Sequence, residues 1–455
     1  MVPEQLRGKR IGILGFGANH RALLVWLQTH GAESITVFDE KAKPEVSGVT
    51  VVSGPDAFKE LDVDVLLRSP GIPLRRPELA AFAERGGRIT SQTELFLELC
   101  PARTIGVTGT KGKGTTSSLI AHILDARRET GDARGRVYLA GNIGKDPFEF
   151  LDELTPDDHV VLELSSFQLD GIRVSPRIAV VLGISTDHLD HHESVAAYHD
   201  AKSGIVRYQG PGDVAVMNLD SAAAFSMAEL AGGTVLYYST KKSVDAGCYL
   251  QEGTYYWRDP RTEVPEELAT VDTLGIRAPH NQENAAAAIT VAKLLGVETS
   301  SIVASIQSFK GLPHRTELVA EIGEVRWVND SYATVPDATI AALRAFQAPI
   351  VLIVGGSSKG ADYAELGRAI AAADVKQLVT MGETGPQIGE AAAVAGFPRE
   401  RIRLVNGLTS AVSAAKLEAK RGDVVLLSPA SASFDQFKNA AERGEAFRKL
   451  VQSHE

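Results

Sequence analysis

Residues 106–116 read GVTGTKGKGTT: GVT ends an apolar run, three spaced glycines and two lysines follow, and a pair of threonines closes the stretch. The helix-forming TSSLIAHIL (116–124) follows directly. A strand that ends in glycines and opens a helix aims unpaired N–H groups and the positive helix end at one point, a setting made for an anion. The spacing departs from G-x-x-x-x-G-K-[ST]: only two residues separate Gly109 from Gly112, and Gly114 follows Lys113 where a hydroxyl residue is usual. Strand, loop, lysine and helix nevertheless agree, so the stretch reads as a nucleotide loop. Gly109, Thr110, Lys111, Gly112 and Gly114 would cradle phosphate, Lys113 would add a mobile positive charge, and Thr115 or Thr116 could place a hydroxyl on Mg²⁺. A glycine-rich turn with surface lysines is the bland alternative.

Outward from this loop, strand and helix signals alternate. Ahead of it, IGILG (11–15) ends in Gly15-Phe16-Gly17, RALLVWLQTH (21–30) has helical periodicity stopped by Gly31, and SITVFD (34–39) ends at Asp39. DVLL (64–67) runs into Ser69-Pro70-Gly71, and helical ELAAFAERGG (78–87) follows. Behind it come the buried-strand candidates VVLEL (160–164), IAVVLGI (178–184) and VAVMN (214–218). YLQEGTYYW (249–257) predicts a hairpin about Glu252-Gly253, and NAAAAITVAKLLG (284–296) a helix with a glycine stop. A third series holds VRWVND (325–330), IVLIVGG (350–356), QLVTMG (377–382) and VVLLSP (424–429). Such alternation implies parallel sheets covered by helices. Across 455 residues it predicts an α/β protein of three domains, 1–100, 101–312 and 313–455, with linkers near Cys100-Pro101 and Gly311-Leu312-Pro313.

Composition narrows the partners. Hydrophobic residues make up 44% and charged residues 23%, as in globular proteins with real cores. A net charge of −10 argues against a general nucleic-acid or membrane-surface binder, but not against a small anion held by local N–H groups. The two cysteines, Cys100 and Cys248, stand too far apart to suggest a disulfide framework or thiolate metal site. No signal-peptide pattern and no membrane-length apolar run is present, so a cytoplasmic location is expected.

Four further regions carry chemistry. GFGANH (15–20) with Asp39 imitates a dinucleotide fingerprint, but His20 fills the third glycine position; a tight turn or a nucleotide-diphosphate site fits as well. STDHLDHH (185–192) gathers aspartates and histidines after a strand, where open α/β sheets bind ligands. Asp187 and His188 are the preferred ligands there; Asp190 or Ser194 could instead cap the following helix. Glu163 interrupts an apolar strand, so its carboxylate must be paired, protonated or metal-bound. If that strand neighbours the phosphate loop, Glu163 is the natural Mg²⁺ ligand. Finally GLPHRTE (311–317), NDSYAT (329–334), GGSSKGAD (355–362) and SPASASFDQF (428–437) offer small polar loops at strand ends.

Ten motifs in order, SPGIP (69–73), GTKGKGTT (109–116), AGNIG (140–144), ELSSFQL (163–169), DHLD (187–190), AYHDAK (197–202), HNQENAAAA (280–288), KGLPHR (310–315), NDSYAT and SPASASFDQF, together resemble the Mur ligase family. These are ATP-dependent amide-forming enzymes of peptidoglycan precursor synthesis. The resemblance implies an N-terminal Rossmann-like UDP-binding domain, a central P-loop-type ATPase domain and a C-terminal Rossmann-like domain that binds the amino acid. It implies ATP and Mg²⁺ as cofactors, and UDP-N-acetylmuramoyl-L-alanine and D-glutamate as substrates of a monomer. Lys113 and its loop would hold the ATP phosphates, with Thr115 and Glu163 on one Mg²⁺, and His188 and a carbamylated Lys202 on a second. Asn142, Ser165, Ser166 and Gln168 would meet the muramoyl part; Gly15, Phe16, Gly17, Ala18, Asn19, Asp39, Ser69 and Gly71 would hold the UDP end. Asn281, Arg315 and Asp330 would bind the nucleotide, and Thr334, Lys359, Ser433 and Phe434 the incoming amino acid.

The pattern is broken in places. Tyr332 stands where D-glutamate-adding members carry lysine, Ala440 where they carry an aromatic, and Asn19-His20 replaces small residues. Relatives that add L-glutamate also lack that lysine, which leaves L-glutamate as an alternative acceptor. A folylpolyglutamate synthetase-like ligase shares GKGT but lacks the first domain. A nicotinamide dehydrogenase would rest on GFGANH alone. A non-catalytic nucleotide sensor would need neither DHLD nor Lys202.

Overall fold

The longest apolar runs become strands buried on both faces, as parallel sheets require. In the computed structural model, which describes residues 6–17, 20–40, 46–129, 135–185, 194–276, 279–358 and 360–453, every residue of IVLIV (Ile350–Val354) and of VVLL (Val424–Leu427) is buried. The chain forms two compact units, Met1–Phe309 and Lys310–Glu455.

The first unit contains two sheets. β1 (Arg10–Leu14), β2 (Ser34–Asp39), β3 (Thr50–Ser53), β4 (Val65–Arg68) and β5 (Arg88–Ser91) form an all-parallel sheet in the order β3-β2-β1-β4-β5. Strand order reverses between β1 and β4. Their carboxyl ends, and hence the loops at Gly15–Gly17 and Ser69–Gly71, face one crevice, the place where such sheets receive ligands.

The second sheet is built from β6 (Arg103–Thr108), β7 (Val137–Gly141), β8 (His159–Glu163), β9 (Ile178–Val181) and β10 (Val214–Asn218), then β11 (Thr234–Ser239), β12 (Gly247–Gln251), β13 (Thr254–Arg258) and β14 (Glu266–Thr270). Its order is β14-β13-β12-β11-β10-β9-β6-β8-β7. All pairs from β12 to β7 are parallel, and the last two strands return antiparallel. The β12–β13 turn falls at Glu252 (φ 50°) and Gly253 (φ 79°), two left-handed residues that suit a two-residue hairpin. Helices Lys113–Glu129 and Pro279–Leu294 cover one face together. The small side chains Ala285–Ala288, all fully buried, let them approach. This second helix starts five residues ahead of the expected Asn284. An apolar cluster including Trp26, Phe96, Phe148 and Phe150 joins the two sheets, and Trp26 Nε1 donates to Asp152 Oδ1 at 3.0 Å.

The second unit is one sheet of β15 (Glu317–Ile322), β16 (Val325–Asn329), β17 (Ile350–Val354), β18 (Val375–Met381), β19 (Ile402–Val405) and β20 (Val424–Leu427). The order is β15-β16-β20-β17-β18-β19, parallel except for β15. Apolar clusters line both faces. Among the described residues no helix is long and apolar enough to cross a membrane, and neither cysteine is in a disulfide.

Candidate functional site

The loop after β6 is closed by contacts that leave no room for side chains at two glycines. Gly109 (φ 151°) would place a Cβ 2.6 Å from Leu182 Cβ, and Gly112 (φ 83°) would place one 2.3 Å from Asn284 Oδ1. Thr110 ties the loop to the end of β9: its N–H donates to Gly183 O at 2.9 Å and its hydroxyl to Ser185 O at 3.0 Å. Lys113, half-buried in the first helical turn, folds back to donate to Gly109 O at 3.1 Å and Thr110 O at 3.0 Å. Lys111 points to solvent, and Gly114 and Thr115 are half-buried. The two threonines separate in role: Thr116 is buried and donates to Asn284 Oδ1 at 3.2 Å, which commits its hydroxyl. Asn284 in turn donates to Asn281 Oδ1 at 3.0 Å, so the Pro279–Leu294 helix buttresses the loop from behind.

β8 does neighbour β6, with Glu163 opposite Val107 in the ladder. The Glu163 side chain is buried at the carboxyl end of the strand. Its carbonyl accepts from Asn142 N at 3.0 Å, and Gly141 (φ 94°) makes that approach available, since a Cβ there would lie 2.2 Å from the same oxygen. Thr108 Oγ1 donates to Leu164 O at 2.9 Å. Next, Ser165 and Gln168 form a reciprocal cap on the short Ser166–Leu169 helix. Gln168 N donates to Ser165 Oγ at 3.3 Å, and Ser165 N and Oγ each donate to Gln168 Oε1 at 3.0 Å.

Lys202 reaches the same place from the helix Val195–Arg207, which is capped by Ser194. Its side chain is buried; Nζ donates to Gly109 O at 3.0 Å and lies 4.7 Å from the Tyr198 ring centroid. Tyr198 OH lies 3.2 Å from Thr110 Oγ1. The result is a cavity of about 470 Å³ lined by Lys113, Lys202, Tyr198, Asn142, Pro70, Gly71 and the Ser165–Gln168 turn. An amine on the phosphate loop, a second amine below it and a polar turn across from it can hold a phosphate beside an acyl group.

At the first sheet's crevice, Asp39 spends one carboxylate oxygen on the loop itself, accepting from Phe16 N at 2.9 Å. Gly15 (φ 75°) lies against Ile72, and Ser69 N donates to Leu14 O at 2.9 Å, so the two loops are stitched together. Gly17 is exposed and Ser69 half-buried. His20 is fully buried, and burial pushes its imidazole down to about 4.

The second unit assembles its own polar cluster. Asp330 is buried at the end of β16, and burial pushes its carboxyl up to about 6, against donation from Ser428 Oγ at 2.7 Å and Thr316 N at 3.1 Å. Arg315 is exposed, with its guanidinium 5.4 Å from the Tyr332 ring centroid. Thr334 N donates to Tyr332 O at 2.9 Å. Ser433 is buried and Phe434 exposed, its N–H donating to Ser357 Oγ at 3.0 Å. Arg443, absent from the sequence-based set, is buried and donates to Ser331 O, Ser431 O and Ala432 O at 2.9 to 3.1 Å. Ala440 opens the last helix, and its carbonyl accepts from Ser331 Oγ at 2.7 Å.

Lys113, Lys202, Asn142, Ser165, Ser166, Gln168 and Gly71 thus meet at one cavity. Asn281 stands behind the loop, and Arg315, Asp330, Thr334, Ser433 and Phe434 belong to the other unit. Ala18, Asn19, His188 with the rest of DHLD, and Lys359 lie outside the described residues. Tyr198 and Asn284 were missed by sequence reasoning. Each left a signal: Tyr198 precedes Lys202 by one helical turn, and Asn284 is a polar residue opening a run of alanines.

Comparison with known proteins supplies the family. The model described as "Mur ligase middle domain" matches residues 107–292, and "Mur ligase, glutamate ligase domain" matches residues 314–431. The UDP-N-acetylmuramoylalanine--D-glutamate ligase of Acetivibrio thermocellus is 39% identical, covering 99% of this chain and 98% of its own. The protein of the same name from Pelotomaculum thermopropionicum is 37% identical, covering 98% of each chain. The crystal structure of the MurF ligase of Thermotoga maritima in complex with ADP shares the fold at 17% identity, with a TM-score of 0.55 and all of both chains covered. On these full-length similarities the chain belongs to the Mur ligase family.

Proposed function

We propose that this protein is an ATP-dependent amide ligase that joins D-glutamate to UDP-N-acetylmuramoyl-L-alanine through an acyl phosphate. The observation that carries the reading is end-to-end similarity to proteins named for that ligation, at 39% identity over 99% of this chain. The cavity at the phosphate loop is consistent with it. A carboxylate is a poor acyl donor, so the substrate's terminal carboxylate attacks the γ-phosphorus of ATP. The γ-phosphoryl group transfers to the carboxylate oxygen and ADP leaves. The amine of glutamate then adds to the activated carbonyl, and the tetrahedral intermediate expels phosphate.

In this reading Lys113 follows the transferring phosphoryl group, and loop N–H groups stabilise charge on its oxygens. Asn142 and the Ser165–Gln168 turn orient the acyl substrate, Gly15–Asn19, Asp39 and Ser69 hold its UDP end, and Asn281, Arg315 and Asp330 take the nucleotide. Thr334, Lys359, Ser433 and Phe434 receive glutamate. Alignment of three reactants contributes on the order of 7–11 kcal/mol to lowering the barrier. The residues suit magnesium: Glu163 is a buried carboxylate beside the loop and Thr115 a hydroxyl in its first turn, both oxygen donors for a hard cation. Thr115 and Glu163 would hold one ion, His188 and a carbamylated Lys202 a second, and bound magnesium would neutralise charge on the phosphate oxygens. The enzyme of this reading is cytoplasmic and works as a monomer of three domains, which the substrates' solubility in water accommodates.

The test is phosphate release from ATP and Mg²⁺ with UDP-N-acetylmuramoyl-L-alanine, adding D-glutamate, L-glutamate or neither. Release with D-glutamate alone is expected. Release with L-glutamate alone would assign Tyr332 and Ala440 to a changed acceptor specificity, and silence with both would remove the ligase reading. Lys202→Ala should be inactive and partly rescued by acetate; full activity without acetate would dispose of the carbamate.

A further inference from the structure

Arg68 closes β4 at the point where the strand leaves its apolar run, yet its side chain is only 2% exposed. An unpaired buried guanidinium is costly, so its contacts matter. Nη1 donates to Ile72 O at 2.5 Å and Nη2 to Asp170 O at 2.6 Å, with the Asp170 carboxylate 3.8 Å away. Ile72 lies in the Ser69–Pro73 loop of the first sheet. Asp170 terminates the Ser166–Leu169 helix of the second, 102 residues along the chain. A second contact fixes the same two segments: Gly171 (φ 77°) would place a Cβ 2.1 Å from Leu74 Cδ1. Pro70 and Gly71 on one segment, and Ser165 to Gln168 on the other, line the same cavity as Lys113.

We infer that Arg68 is a positioning residue for the ligation: its fork spans the two carbonyls and sets the separation between the two walls that grip the acyl substrate. The inference rests on the proposed ligase reading. The two-carbonyl bridge needs the planar fork of arginine; a lysine ammonium keeps the charge but does not reproduce that geometry. Both hydrogen bonds of Arg68 go to carbonyls, so it acts through the main chain of both segments. Burial lowers the basicity of the guanidinium, and the Asp170 and Glu94 carboxylates restore part of it.

The experiment compares full-length wild type and Arg68→Lys in the phosphate-release assay, titrating each substrate in turn. The expected result is a rise of roughly tenfold or more in KM for UDP-N-acetylmuramoyl-L-alanine, with KM for ATP and kcat within about threefold. A merely structural role would lower kcat and melting temperature and leave that KM unchanged, which would overturn the inference. Inactive wild type would instead overturn the ligase reading. Should Arg68→Lys fail to fold, Gly171→Ala wedges the same segments apart with the guanidinium intact. It should raise the same KM, and Leu74→Ala should relieve it; an unchanged KM would overturn the inference.

Discussion

Lys113 and Lys202 present their ammonium groups to a single oxygen, the carbonyl of Gly109, at 3.1 and 3.0 Å. Both come from helices, and neither position is legible as a pair in the sequence, where 88 residues separate 113 from 202. Lys113 Nζ also donates to Thr110 O at 3.0 Å, and a γ-phosphate carries far more charge than either carbonyl. Lys113→Ala should therefore lower kcat/KM by roughly 10³-fold or more while melting within a few degrees of wild type. Near-normal turnover would remove its phosphate role. His20 makes a second residue-scale case. Its ring is buried, and both nitrogens lack a hydrogen-bond partner among the described residues. The unfolded chain takes up a proton on His20 near pH 6.5, whereas the fold keeps it neutral down to about 4. Stability from this site is thus lost as pH falls from 6.5 towards 4, by on the order of 3 kcal/mol. His20→Leu should show a shallower decline between pH 7.5 and 5 in urea unfolding; identical slopes would mean the imidazole is hydrated in solution.

At the scale of elements, the phosphate loop works because a strand, a glycine turn and a helix are consecutive, and because a distant helix supports them. Gly112 occupies a left-handed conformation directly against Asn284. Gly112→Ala should cost about 1–3 kcal/mol through backbone strain and the displaced Asn284. It should also weaken ATP binding at least about tenfold, read by calorimetric titration alongside unfolding. Unchanged affinity would separate the loop's shape from nucleotide binding. The same scale shows which elements sequence reasoning reached. IGIL, TIGV, IVLIV and VVLL are continuous apolar runs, and they became central strands. β3 (TVVS), β14 (EELAT) and β19 (IRLV) went unassigned because they lie at sheet edges, half or more exposed, where one neighbour strand suffices and the apolar signal fades.

Across the whole molecule the apolar cores divide with the compact units. Among the described residues, two clusters belong wholly to the Lys310–Glu455 unit and three to Met1–Phe309. The cluster around Trp26, Phe96 and Phe148 joins the first two sheets within one compact unit. Scanning calorimetry should accordingly resolve two transitions, the larger enthalpy belonging to the first unit because it buries more surface. A single transition with equal calorimetric and van't Hoff enthalpies would show that the units melt as one.

The amino-acid sequence by itself determined what is local. Apolar runs set the central strands, the glycines at 109 and 112 set the phosphate loop, and Glu163, Lys113 and Lys202 set the charges available, because each depends on neighbours a few residues away. Tertiary structure decided what those residues meet. Sheet order β9-β6-β8 carries Glu163 to the loop, helix packing commits Thr116 to Asn284 across 168 residues, and Arg68 reaches Asp170 across 102. Such contacts arise from burying several apolar faces at once, and no local spacing encodes which partner a buried polar group will find.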